Sequence, residues 1–135
     1  MVKSLPAQIW RFGLVGIIGF IVNAGLVEAL VKNTGPLWAQ TIAFPAAATV
    51  TWSLNRRYTF GASRLAPHYE WLRYVLANSV GWAVNNGAYL AIIISSPDVY
   101  NHPAIAVAVG SLAGMLFNFT ASKNVVFSSD DHIRK

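Results

Sequence analysis

The sequence predicts an all-α, polytopic membrane protein with four transmembrane helices arranged as two parallel-repeat helix hairpins. Three observations lead there. Only 11% of the residues are charged and 55% are hydrophobic, whereas a soluble domain carries about a quarter charged residues. The few charges gather in clusters, so that residues 12–27, 33–55, 74–97 and 99–122 carry none. The second half of the chain also repeats features of the first at a nearly constant offset.

A membrane-spanning helix needs about 20 mostly apolar residues. Three of the uncharged stretches satisfy that directly. The first does so if Glu28 sits near the far interface, which gives a helix from about Ile9 to Val31. Residues 1–8 look like the head of a signal peptide, but the apolar run behind them is too long for a signal segment. Because that run has a counterpart later in the chain, it is expected to be retained. Lys32-Asn33-Thr34-Gly35-Pro36 reads as a tight turn, punctuated by Gly and Pro. A second helix is expected from about Leu37 to Asn55, kinked at Pro45. Residues 56–70 form the longest polar connection. A third helix is expected from about Trp71 to Ile94, a turn from Ser95 to His102, and a fourth helix from about Pro103 to Ser122. A polar tail then runs to Lys135.

The basic residues set the expected orientation. Lys3, Arg11, Arg56, Arg57, Arg64, Arg73, Lys123, Arg134 and Lys135 lie at the two termini and around the middle connection. The two short turns hold only Lys32. Four spans place those turns on one side, so both termini are expected in the cytoplasm and the protein in the cytoplasmic (inner) membrane. With no cysteine, disulfides and thiolate metal sites are excluded. His68, His102 and His132 are too far apart in sequence to form a local metal-ligand pair. The formal net charge of +5 sits at helix ends, which points to anionic lipid rather than nucleic acid.

The whole chain, 1–135, reads as a single membrane domain with repeat halves of about 8–60 and 71–127. The stretch Trp52-Ser53-Leu54-Asn55-Arg56-Arg57-Tyr58-Thr59-Phe60 returns as Phe119-Thr120-Ala121-Ser122-Lys123-Asn124-Val125-Val126-Phe127, offset by 67. Arg11-Phe12 matches Arg73-Tyr74 at an offset of 62, as do Gly19 with Gly81 and Asn23 with Asn85. Each half has two spans, so both halves start from the same side. Such hairpins can pack about a pseudo-two-fold axis along the membrane normal.

Helical neighbours recur at i+3, i+4 and i+7. Gly16, Gly19 and Asn23 therefore share a face on the first helix, and Asn78, Gly81, Asn85 and Tyr89 share one on the third. The fourth helix carries Gly110, Gly114 and Asn118 on one ridge. The second carries Ala43, Ala47, Thr51 and Asn55. Small residues let membrane helices approach closely, so these stripes read first as packing seams. The amides Asn23, Asn55, Asn78, Asn85 and Asn118 are costly in a bilayer unless partnered. Asn23 and Asn85 lie at one depth, about 18 Å of helix beyond Arg11 and Arg73. They either bind each other or line a polar groove. Glu28 precedes Lys32 by one turn and reads as an interfacial ion pair, or else as a proton-coupling carboxylate or a contact to a sugar hydroxyl. Arg11, Arg56, Arg57, Arg73 and Lys123 form a belt that topology alone would explain. Guanidinium groups also suit phosphate, so a lipid-phosphate site is the second reading.

The Arg-Phe-Gly-Leu-Val-Gly opening, the Asn-Arg-Arg-Tyr-Thr-Phe stretch, the second Arg-Tyr and the closing Lys-x-x-x-Phe resemble the GtrA-like membrane proteins over about residues 8–128. The resemblance implies a part in cell-surface polysaccharide synthesis or glycosylation. The implied activity is translocation of a polyprenyl-phosphate-linked sugar to the outer leaflet, where glycosyltransferases use it. The alternative it implies is a membrane anchor that recruits a glycosyltransferase without moving lipid. On the first reading the amides would replace the water lost by the sugar, and the arginines would capture the phosphodiester.

An enzyme is disfavoured, because no nucleophile–base pair, metal set or paired carboxylates lie in the spans. No nucleotide-binding motif is present, and no cofactor is expected. A small multidrug exporter-like transporter is a further alternative, and it would need Glu28 to face the bundle at mid-membrane. Four spans make a thin bundle, so a homodimer is expected to enclose a groove more easily.

Overall fold

The computed structural model describes residues 4–96, 98 and 103–128. Among the described residues the chain is helical, with no strand. The stretch Leu5–Leu54 is broken at Gly35, whose φ of 78° and ψ of 164° are not helical. Glycine adopts positive φ without the steric cost other residues meet. Pro36 follows, its fixed φ suited to the first turn of a new helix. The two resulting helices are α1 (residues 5–34) and α2 (residues 36–54). α2 ends in a single π-helical turn, Asn55–Thr59. α3 is Pro67–Ser95 and α4 is Pro103–Ala121, which ends in its own π turn, Ser122–Val126.

The chain reverses at Gly35. The Thr51 side chain lies directly against the Gly19 backbone, and the rings of Phe12 and Phe60 are 5.9 Å apart. In a straight helix residues 19 and 51 would stand about 48 Å apart. α1 and α2 are therefore a hairpin, and the expected turn shrinks to one residue. The kink expected at Pro45 does not take the form of a break, since α2 keeps helical dihedrals there. α3 starts earlier than expected, with a proline in its first turn, so the polar connection is shorter than residues 56–70. Most of the expected turn from Ser95 to His102, and the tail beyond Ser128, lie outside the described residues.

The protein is apolar outside and partly polar inside. Phe20, Leu37 and Ile94 expose 72%, 75% and 81% of their surface, whereas Asn55, Thr59, Glu70 and Ser122 are buried. Apolar exposure on this scale marks a surface that water does not cover. Leu5–Thr59 and Ile105–Val126 are each long and apolar enough to cross a membrane. The first of these is the α1–α2 hairpin. α3 carries Asn78, Ser79, Asn85 and Asn86 along its length, which makes it less apolar.

The repeat is visible in three dimensions. Both π turns are closed by an i−5 hydrogen bond, Phe60 N to Asn55 O at 2.9 Å and Phe127 N to Ser122 O at 2.8 Å. Phe12 meets Phe60 at 5.9 Å and 58°, and Tyr74 meets Phe127 at 6.0 Å and 59°. Phe60 and Phe127 stack on each other at 5.3 Å, joining equivalent points of the two halves. The small-residue seams also correspond. A Cβ at Gly19 would collide with Thr51, and one at the equivalent Gly81 would collide with Asn118. The Gly110–Gly114 ridge of α4 packs on α3, where a Cβ at Gly114 would come within 2.8 Å of the Asn85 Cβ and 3.1 Å of the Gly81 carbonyl.

Candidate functional site

All four helices wall one cavity of about 590 Å³. Asn23 reaches it from α1, Asn55 from the end of α2, Asn78 and Asn85 from α3, and Asn118 from α4. The five amides singled out in the sequence thus converge on a single space. Thr51, Tyr74 and Ser111 add hydroxyls and Gln40 another amide, while Phe12, Phe20, Phe44, Trp82 and Met115 supply apolar surface. No Asp, Glu, Lys or Arg lines it among the described residues.

The amides are incompletely partnered. Asn55 donates to the Tyr74 hydroxyl at 2.9 Å, and Asn78 donates to the Tyr74 carbonyl one turn back at 2.9 Å. The Oδ1 atoms of Asn23, Asn55 and Asn118 are buried without a hydrogen-bond partner. Most buried polar atoms in folded proteins find a partner, and leaving one unmet costs about 1–3 kcal/mol. These acceptors are therefore suited to a visiting hydrogen-bond donor. The cavity's size falls in the range of small-molecule sites.

Glu28 does not line the cavity, unlike the amides with which the sequence grouped it. It is exposed, as is Lys32, and the expected ion pair between them does not form. The multidrug exporter-like alternative loses its central carboxylate with that placement.

The cations have more definite occupations than a belt. Arg11 Nη1 donates to the Tyr58 carbonyl at 2.8 Å, and the equivalent Arg73 Nη1 donates to the Val125 carbonyl at 3.4 Å. Carbonyls at a helix C-terminus lack internal partners, and a cation there is favoured by the helix dipole. Each half thus uses its opening arginine to cap its own π turn. Arg57 lies over the Tyr58 ring, 5.5 Å from the centroid. Lys123 is half-buried. Arg56 forms an ion pair with Glu70, Nε to Oε1 at 2.9 Å, and lies over Trp52.

Glu70 is the residue that sequence reading missed. The sequence places it last in a polar connection, yet it has no solvent exposure. Its Oε1 accepts from Trp52 Nε1 at 2.9 Å and its Oε2 from the Ser63 backbone N–H at 2.7 Å. A signal existed: at the offset of 62 that pairs Arg11 with Arg73, Glu70 falls on Gln8, which is also buried. Glu70 and Gln8 thus share an inward-facing position one turn before the arginines. Trp71 Nε1 donating to Thr49 Oγ1 at 3.0 Å adds a further tie between α2 and α3.

A family model, the transmembrane domain of GtrA/DPMS, matches residues 11–127. The chain belongs to this family. No curated protein and no solved structure matches it significantly. Membership makes this GtrA/DPMS protein a membrane protein of polysaccharide- and glycosylation-related sugar handling. The matched span includes the first hairpin from Arg11 onward, both π turns and every residue of the amide cavity.

Proposed function

We propose that this GtrA/DPMS protein moves a polyprenyl-phosphate-linked sugar across the cytoplasmic membrane, holding the sugar in the amide cavity. The observation behind the reading is the convergence of Asn23, Asn55, Asn78, Asn85 and Asn118 on one uncharged space, with three of their oxygens unpartnered. A sugar crossing a bilayer must exchange its water for other hydrogen bonds, because an unmet polar group in an apolar medium costs several kcal/mol. Hydroxyl groups donating to those oxygens supply that exchange. The prenyl chain stays in lipid, against the apolar exterior. The protein acts without catalysis on this reading, with both termini and the Arg56–Arg57 end in the cytoplasm.

The test is reconstitution into liposomes with a short-chain polyprenyl-phosphate hexose and a leaflet-selective probe. Transfer above empty liposomes, lost when the cavity amides are replaced, supports the reading. Equal transfer by parent and cavity variants would overturn it. Recruitment of a glycosyltransferase then becomes the stronger account, with co-purification of the transferase as its readout.

A further inference from the structure

We propose that the lipid-linked sugar enters and leaves the amide cavity sideways, through the seam between α1 and α4, while the seam between α2 and α3 stays shut. This rests on the transport reading above for the identity of the lipid. The choice of seam rests on the repeat. The halves meet as α2 on α3 and as α1 on α4, and the offsets of 62 for α1 with α3 and 67 for α2 with α4 make these two seams equivalent.

The α2–α3 seam is latched. Trp52 Nε1 donates to Glu70 Oε1 at 2.9 Å, Asn55 Nδ2 to the Tyr74 hydroxyl at 2.9 Å, and Trp71 Nε1 to Thr49 Oγ1 at 3.0 Å. Arg56 adds its ion pair with Glu70. At the equivalent positions of the α1–α4 seam, each tie loses a donor, an acceptor or a charge. Ile9 and Leu116 stand for Trp71 and Thr49. Phe119 stands for Trp52 and brings no N–H to Gln8, the counterpart of Glu70. Gln8 in turn has no charge to hold Lys123, the counterpart of Arg56. Phe12 stands for Tyr74 and brings no hydroxyl to Ser122, the counterpart of Asn55. What α1 and α4 do share there is the edge-on contact of Phe12 with Phe119, at 5.5 Å and 78°. Parting two rings strands no charge, whereas parting Arg56 from buried Glu70 does.

The unmet oxygens mark the same seam. Gln8 Oε1 and Ser122 Oγ are buried without a hydrogen-bond partner, in residues only 9% and 0% exposed. They occupy the places where Glu70 and Asn55 are tied in the other seam. Further along the same helices, Asn23 Oδ1 of α1 and Asn118 Oδ1 of α4 are also unpartnered, and both residues line the cavity. A hydroxylated head passing between α1 and α4 thus meets acceptors on both sides, which replace the water it gives up. The cavity also reaches the exterior mainly beside these helices. Of the exposed residues in its wall, Gly16, Ile17, Phe20, Ser111 and Met115 belong to α1 and α4, against Gln40 of α2 and Trp82 of α3. Ile17, Phe20 and Met115 give that side an apolar rim, along which an isoprenoid chain can lie while the head is inside.

The absence of cysteine from the sequence lets introduced pairs test each seam. Ile9→Cys with Leu116→Cys spans α1 and α4, and Trp71→Cys with Thr49→Cys spans α2 and α3 at the equivalent positions. None of the four residues lines the cavity. A bis-methanethiosulfonate reagent joins each pair and a reductant releases it, so each variant is its own control for transfer of a polyprenyl-phosphate hexose in liposomes. The α1–α4 link should lower transfer about tenfold or more, as closing an obligatory gate does, and release should restore it. The α2–α3 link should leave transfer near its released value. Equal losses from both links overturn the proposal, as does an Ile9–Leu116 pair that cannot be joined where the Thr49–Trp71 pair is. Binding is read separately on the parent chain, with a polyprenyl-phosphate hexose that carries a diazirine on its first isoprene unit. Photo-adducts mapped by mass spectrometry should fall on α1 and α4, and adducts concentrated on α2 and α3 overturn the seam. Adducts on α1 and α4 without transfer reject the transport reading alone. Transfer that ignores the α1–α4 link rejects the seam alone, and neither adduct nor transfer rejects both.

Discussion

Arg56 at the end of the first half and Glu70 at the start of the second form an ion pair, Nε to Oε1 at 2.9 Å, that ties the two hairpins together. The partners are unequal. The carboxylate is fully buried, while the arginine side chain keeps 32% of its exposure. Removing Arg56 strands a buried charge, which costs about 3–5 kcal/mol. Removing the Glu70 charge leaves a cation that solvent and headgroups can reach. Arg56→Gln should therefore destabilise the protein more than Glu70→Gln, and the double variant should recover part of the loss. Chemical denaturation in detergent micelles measures all three. Equal losses for the two single variants would show that Glu70 is satisfied by Trp52 and Ser63 alone.

The seam between α3 and α4 gives a second expectation. Gly114→Leu must drive its side chain into Asn85 and the Gly81 carbonyl, whereas Leu112 is 56% exposed. Overpacking costs about 1–3 kcal/mol or more, and surface changes stay within about 0.5 kcal/mol. Gly114→Leu should thus lower the melting temperature in micelles clearly, and Leu112→Phe should not. Similar melting for both variants contradicts this packing.

Much of this arrangement was legible in the sequence, and the exceptions have physical causes. The uncharged stretches, the repeat offsets and the amide positions all follow from helical periodicity and membrane cost, which are local properties. Their meeting in one cavity follows from placing the amide stripes of four helices inward. The pairing of Arg56 with Glu70 was not legible, because it depends on the path of the connection between the halves. The same offset that matched Arg73 with Arg11 could have flagged Glu70 through Gln8. The hydroxyl that Tyr74 has and Phe12 lacks likewise found its partner, Asn55, only in the fold. The span count rested on hydropathy, and α3 is less apolar because it carries several amides.

Orientation is tested by cysteine labelling. Ala62 lies in the connection between the halves and Asp98 beyond α3, and both are exposed. The basic residues cluster on the Ala62 side, the side expected in the cytoplasm. In intact cells an impermeant thiol reagent should label Asp98→Cys and spare Ala62→Cys. The reverse pattern would invert the topology.

The uncharged wall of the cavity sets an expectation for the sugar. A neutral hexose can donate hydroxyls to Asn23, Asn55 and Asn118 without bringing a charge. A uronic acid brings a carboxylate to a space with no cation in its wall, and burying an unpaired charge costs several kcal/mol. Transfer of a polyprenyl-phosphate uronic acid in liposomes should fall about a hundredfold below that of the matching hexose, a difference of roughly 2.7 kcal/mol. Comparable rates for the two lipids would mean that the sugar does not enter this cavity.

The last prediction separates stability from function at one residue. Asn23 places a buried, unpartnered Oδ1 at the cavity wall. Such an atom costs about 1–3 kcal/mol when nothing binds it. Asn23→Leu removes that cost and adds apolar surface to α1, so the variant should insert normally and withstand heat or denaturant at least as well as the parent. If the oxygen exists to receive a sugar hydroxyl, the same change should reduce sugar-lipid transfer about tenfold. Sites built for a ligand often trade stability in this way. Thermal stability in micelles and transfer in liposomes are measured on the same preparation. A variant that is more stable and transfers less is the expected result. If Asn23→Leu is instead less stable, the amide is serving the fold, and the sugar contacts must be sought at Asn55 and Asn118.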